Sequence, residues 1–101
     1  MTGTLYFIQP AELVGTNRYK IGCSATNDMI RCKSYRLGTR YLMILECHQP
    51  FAVESVLKAR FESIFRRVAG KEYFEGDELE MRRVFYETYQ ICMMGRTDME
   101  I

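Results

Sequence analysis

The tightest constraint on the fold sits at the start of the chain. Thr4-Leu5-Tyr6-Phe7-Ile8-Gln9 is β-branched and aromatic, and Pro10 stops it, because proline has no N–H to give to a strand ladder. A loop holding Pro10, Gly15 and Asn17 follows, and Arg18-Tyr19-Lys20-Ile21-Gly22 then reads as a second short strand ending at a glycine. Strands this close in sequence pair antiparallel by default. Alternation puts Tyr6 and Ile8 on one face of the first strand and Leu5 and Phe7 on the other. In the second strand Lys20 and Gly22 share one face, and Tyr19 and Ile21 the other.

The rest of the chain supplies helices and one more clear strand. Ala25–Arg36 is compatible with a helix, with Thr26 or Asn27 as its N-cap and Gly38 as its stop. Tyr41-Leu42-Met43-Ile44-Leu45-Glu46-Cys47 is an apolar run of strand length between Gly38 and Pro50. The clearest helix covers Phe51–Val68: Pro50 suits its first turn, Leu57, Phe61, Ile64, Phe65 and Val68 keep helical spacing, and Gly70 closes it. Glu72-Tyr73-Phe74 reads as a short extended piece. Asp77 then caps a last helix to about Met93, and residues 95–101 read as a frayed tail. The expectation is an α/β (α+β) fold with a small, mainly antiparallel sheet of three main strands flanked by helices. With 101 residues, 48% of them hydrophobic, residues 1–101 are expected to form a single domain with one core.

Charge and cysteine content narrow the function classes. Residues 1–71 carry eleven basic against five acidic side chains, and residues 72–101 carry three against eight. A polyanion would meet the first two-thirds of the chain far more readily than the last third. Cys23, Cys32, Cys47 and Cys92 form no C-x-x-C pair and His48 is the only histidine, so a zinc knuckle lacks its ligands. Without a signal-peptide pattern or an apolar run of about 20 residues, the expected setting is intracellular and off the membrane. Reduced thiols packed as small hydrophobes fit that setting better than a disulfide framework.

Three sets of residues exceed a purely structural account. Glu54 falls within about 20° of both Phe61 and Phe65 on a helical wheel, so a carboxylate lies in an apolar stripe, where an unpaired charge is costly. A place in the first turn near the helix dipole, an i+4 pair with Lys58 or a buried Arg partner would each explain it; so would a role as ligand for a hard divalent cation such as Mg²⁺. Arg31 and Tyr35, four apart and surrounded by Lys33, Arg36 and Arg40, would form either a solvated basic face or a phosphate grip. Tyr6 is either a packing residue of its strand or a phenol facing a site.

Together these residues resemble the GIY-YIG nuclease superfamily, whose signature is two short strands, a helix with an Arg and an aromatic or His four residues on, and a helix with a metal-binding Glu. The first element is Thr4-Leu5-Tyr6 and the second Lys20-Ile21-Gly22, with Lys20 where the second tyrosine usually stands, as in some restriction enzymes of the family. Arg31, Tyr35 and Glu54 follow in order, and Glu72-Tyr73-Phe74 is similar to an acidic-aromatic element seen late in several members. The resemblance covers residues 3–75.

It implies a metal-dependent endonuclease that hydrolyses phosphodiester bonds, with DNA as the expected substrate. Glu54 would hold Mg²⁺ (or Mn²⁺), Tyr6 would accept the proton of the attacking water, and Lys20 would favour its phenolate, since a free phenol titrates near 10. Arg31 would stabilise transition-state charge and Tyr35 would position the phosphate or the water. Sequence specificity would come from a homodimer or an accessory protein. The alternative is a nucleic-acid-binding or protein-interaction module that keeps the fold without turnover.

Overall fold

The computed structural model describes residues 2–25, 35–70 and 72–100, with side chains as far as residue 94. Strands β1 (Thr2–Gln9), β2 (Arg18–Ser24), β3 (Arg40–His48), β4 (Arg66–Ala69) and β5 (Tyr73–Glu75) join in one sheet of order β3-β1-β2-β5-β4. Every pairing is antiparallel. Helix α1 (Pro50–Ile64) and helix α2 (Glu78–Glu100) complete an α+β architecture, with a short 3-10 turn at Ala11–Leu13. No helix among the described residues is long and apolar enough to cross a membrane.

β1 lies between β2 and β3 and is buried on both faces. Its odd residues Leu5 and Phe7 join Tyr19, Ile21 and Cys23 of β2 against Val53, Leu57 and Phe61 of α1 and Met81, Val84 and Phe85 of α2. Phe7 is the hub: its ring lies 5.5 Å from Tyr19, 6.1 Å from Phe61 and 5.5 Å from Phe85. The even residues Tyr6 and Ile8 form a second, smaller layer with Tyr35 and Ile44 on the opposite face. Alternation along one strand thus builds both layers.

The sheet has five strands rather than the three expected, and the reason lies at the end of α1. That helix stops at Ile64 instead of running to Val68, because Phe65 takes an extended backbone (φ −116°, ψ 165°). The Phe65 ring turns onto Phe61 at 4.9 Å, and Arg66–Ala69 pairs with β5 through a turn at Gly70, whose φ of +52° suits glycine. Val68 fits a helical pattern and a strand equally well, so tertiary pairing decides. Glu75 of β5 meets Arg18 of β2 at 3.1 Å and Arg66 of β4 at 3.7 Å, tying three strands across one register row.

α2 starts where Asp77 predicts. The Asp77 carboxylate accepts the Glu80 N–H at 3.0 Å and its carbonyl accepts the Met81 N–H at 2.9 Å. The helix continues through Glu100, past the expected end near Met93, since Gly95 weakens a helix without ending it. The expected helix over Ala25–Arg36 falls largely on residues 26–34, outside the described residues, as do its proposed caps Thr26 and Asn27. Tyr35 and Arg36, which are described, stand outside any helix or strand.

A polar clamp locks α2 to the sheet. Arg40 of β3 grips the Glu78 carboxylate with both guanidinium arms (2.7 and 2.9 Å) and also donates to Gln9 Oε1 (2.7 Å), while the Tyr19 hydroxyl donates to Glu78 (3.0 Å). The hydrogen bond from Arg40 is the main reason the Glu78 carboxyl titrates below its ordinary range, and the bond from Tyr19 adds to it. A depressed carboxyl stabilises the fold above its unfolded pKa, near 4.3, and that stabilisation disappears as pH falls through the folded value. Glu78→Gln is therefore expected to cost about 1 kcal/mol at pH 7, several degrees in Tm, with the gap to wild type narrowing as pH falls below the ordinary carboxylate range. Thermal melts of both proteins between pH 7 and pH 3 check this.

Candidate active site

The second layer of the sheet carries the polar groups singled out in the sequence. Tyr6 on β1 stands opposite Gly22 on β2. A Cβ added at Gly22 would overlap Cε1, Cζ and Oη of the Tyr6 ring, so the bare glycine is what lets that ring lie across β2. Tyr6 itself is buried, at 1% exposure. Its hydroxyl lies 3.2 Å from that of Tyr35, with the rings edge to face at 6.1 Å.

Lys20, two residues from Gly22 on the same face, points into this layer. Its ammonium donates to the Tyr35 hydroxyl at 2.8 Å, pairs with Glu72 at 3.5 Å, and stands 4.9 Å and 5.6 Å from the ring centroids of Tyr35 and Tyr73. Burial alone would lower the Lys20 pKa. The hydrogen bond to Tyr35 and the charges of Tyr35, Tyr73 and Glu72 outweigh it, and the pKa lies above the usual 10.5. Lys20 is thus a fixed cation at neutral pH, not a base. Tyr19 turns the other way, into the helix-covered core.

Glu54 joins the same network from α1. It lies beyond the first turn, and its partner is Lys58 at 3.3 Å, one of the explanations its sequence position allows. Lys58 also reaches Glu72, at 3.7 Å. The result is an alternating chain Lys20–Glu72–Lys58–Glu54, with side-chain exposures of 15%, 40%, 20% and 15%. Glu72 is held at the β2 edge by its own carbonyl, which accepts the Ile21 N–H at 2.9 Å. Tyr35 therefore touches both Tyr6 and Lys20, whereas Glu54 connects to them through Lys58 and Glu72. Arg31 lies outside the described residues. Tyr35 stands at a bend, and the helical face expected to join it to Arg31 lies outside the described residues.

Lys58 and Glu72 are the residues whose place in this network the sequence least reveals. Lys58 reads only as an i+4 neighbour of Glu54, and Glu72 only as part of an acidic-aromatic triplet. Their meeting depends on a contact between α1 and the start of β5 that no local spacing encodes.

Glu54 and Glu72 are the carboxylates of this network that could hold a hard divalent cation. One ammonium already draws two carboxylates toward it, and Mg²⁺ needs one or two carboxylates, completing its shell with water and phosphate oxygens. Among the described residues no group of three His, Cys, Asp or Glu side chains could hold an ion by itself. Among the described residues Cys23, Cys47 and Cys92 are free thiols, and burial pushes Cys47 up to about 11. No family model, curated protein or solved structure matches this chain.

The close approach of Tyr6 to Gly22 is open to test. Gly22→Ala should lower stability by about 1–3 kcal/mol, the usual cost of overpacking a filled layer. The same change in a Tyr6→Ala background should cost much less, because the ring it strikes is gone. Equal losses in both backgrounds, measured by denaturant unfolding, would contradict that contact.

Proposed function

We propose that this chain is a divalent-metal-dependent endonuclease of the GIY-YIG type that hydrolyses phosphodiester bonds, with DNA as its substrate. The observation that carries the reading is the meeting of Tyr6, Lys20 and Tyr35 in one polar cluster, with the Glu54 carboxylate joined to it through Lys58 and Glu72. The matching motifs are Thr4-Leu5-Tyr6, Lys20-Ile21-Gly22 and Glu54.

Each residue has a task on this reading. Glu54, with Glu72 across Lys58, would hold Mg²⁺ or Mn²⁺. When bound, the ion polarises the scissile phosphoryl group and stabilises the leaving oxygen. Tyr6, as its phenolate, would accept the proton of the attacking water by relay through the Tyr35 hydroxyl bonded to it, and end as a neutral phenol. The Lys20 ammonium, charged throughout the neutral range, would stabilise the phenolate before that proton arrives. Arg31 supplies a guanidinium to the phosphate oxygens as charge builds on them. Tyr35 also orients the phosphate. Selection of a cutting site falls to a second copy of the chain or to an accessory protein.

Two observations favour a second reading, a nucleic-acid-binding or protein-interaction module without turnover: the burial of Tyr6 and the pairing of Glu54 with Lys58. One experiment separates the two. Supercoiled plasmid and single-stranded oligonucleotides are incubated with the protein in Mg²⁺ or Mn²⁺, with EDTA controls. On the nuclease reading DNA is nicked or cut, EDTA stops the reaction, and Glu54→Ala lowers the rate by roughly 10²–10³-fold, the scale of several kcal/mol of charge stabilisation. Cleavage that survives EDTA or Glu54→Ala rejects it. No cleavage, with binding that falls steeply as salt rises and needs no metal, supports the binding module instead.

A further inference from the structure

Lys58 stands where a metal ligand's partner would be least welcome. Its ammonium lies 3.3 Å from the Glu54 carboxylate and 3.7 Å from that of Glu72. A divalent cation drawn to the same two carboxylates would meet an ammonium already in place, and like charges at such distances repel strongly when water is partly excluded. Ion and ammonium therefore compete for one position.

The surroundings of Lys58 give its side chain a second place to go. On its outer side it lines a surface hollow of about 340 Å³ together with Ser55, Ala59, Glu62 and Arg67. Glu54, Lys58 and Glu62 follow one another at intervals of four along α1, so Lys58 has a carboxylate one turn before it and another one turn after it. At present Glu62 is engaged by Arg67 at 3.0 Å, with both side chains about half exposed. An exposed pair of this kind holds its partners weakly and can admit a second cation.

From this geometry we propose that Lys58 is an internal stand-in for the divalent cation. It holds Glu54 and Glu72 together while no metal is bound, and it turns into the hollow toward Glu62 when one enters. The idea rests on the reading of Glu54 as a metal ligand and adds to it that this chain resists metal loading by its own lysine. Two seats four residues to either side make the exchange a side-chain rotation, with no movement of the helix. The arrangement keeps two half-buried carboxylates paired at all times, which avoids the cost of leaving them bare.

The test measures Mn²⁺ binding directly, by the loss of the free-ion electron paramagnetic resonance signal, on the full chain without nucleic acid. Lys58→Met keeps most of the apolar stem and removes the charge; Lys58→Gln serves if that variant does not fold. The charge-free variant is expected to bind Mn²⁺ at least fivefold more tightly than wild type, and the gain should vanish when Glu54→Gln is added. A gain below fivefold, or one that survives Glu54→Gln, overturns the proposal. The outcome is separable from the nuclease reading. Tighter Mn²⁺ binding with no cleavage by any variant upholds the lysine's role and rejects the enzyme. Unchanged Mn²⁺ binding alongside Glu54-dependent cleavage does the reverse.

Discussion

β1 is the constraint on which the rest depends, because neither of its faces is free to change. Phe7 anchors the helices to the sheet through three aromatic neighbours, and Tyr6, one residue earlier, anchors the polar layer on the far side. A slip of one residue in its pairing would send Tyr6 into the aromatic core and Phe7 among the charges. The registers Tyr6↔Gly22 and Phe7↔Ile21 are therefore fixed twice, once by packing and once by the space that only a glycine leaves. Core and candidate site are two readings of one strand, and neither can shift without the other.

That coupling explains how the sheet tolerates so much charge beside its second layer. Lys20 is largely buried, and an isolated ammonium there would carry a heavy desolvation cost. Two aromatic faces, a phenolic oxygen and the Glu72 carboxylate surround it. Glu72 in turn shares its charge with Lys58, and Lys58 with Glu54. No link is strong alone, since partly exposed pairs contribute little. Their order matters more: each half-buried charge has an opposite neighbour, so removing a middle member leaves the next one exposed to the low dielectric without a partner.

What the sequence reveals of this follows from which rules are local. Alternation with period two is local, and it groups Lys20 with Gly22 and Tyr19 with Ile21; which pair lies beside Tyr6 depends on the register with β1, which sets Lys20 and Gly22 there and Tyr19 and Ile21 in the core. Capping is local, and Asp77 marks the start of α2. The end of α1 is not local. Ile64 and Val68 keep the spacing of a helix face, yet Ile64 is half exposed and Val68 belongs to a strand, because pairing with β5 outweighs helical preference at Phe65. β5 is three residues long, too short for a periodicity to register, and it is what brings Glu72 to the edge of β2. Glu54 shows the mixed case: sequence marks it as out of place in an apolar stripe, and only the folded chain shows the lysine that accounts for it.

The hydrogen bonds of the polar layer also bear on how two phenols would divide the work of a base. Lys20 has donors only, so the Tyr35 oxygen is the acceptor in their 2.8 Å contact. That oxygen is also the one 3.2 Å from Tyr6, where either hydroxyl can donate. Positive charge therefore reaches Tyr35 directly and extends to Tyr6 by way of the Tyr35 oxygen, whichever way the shared hydrogen points. Burial then separates them. Tyr6 is sealed beneath its neighbours, while Tyr35 is half-buried and closer to solvent. On the nuclease reading, a water molecule would meet the Tyr35 hydroxyl first, and Tyr6 would act through it as the inner member of a pair. On that reading Tyr6 would be the fixed support, and Tyr35 the group that meets the reacting water.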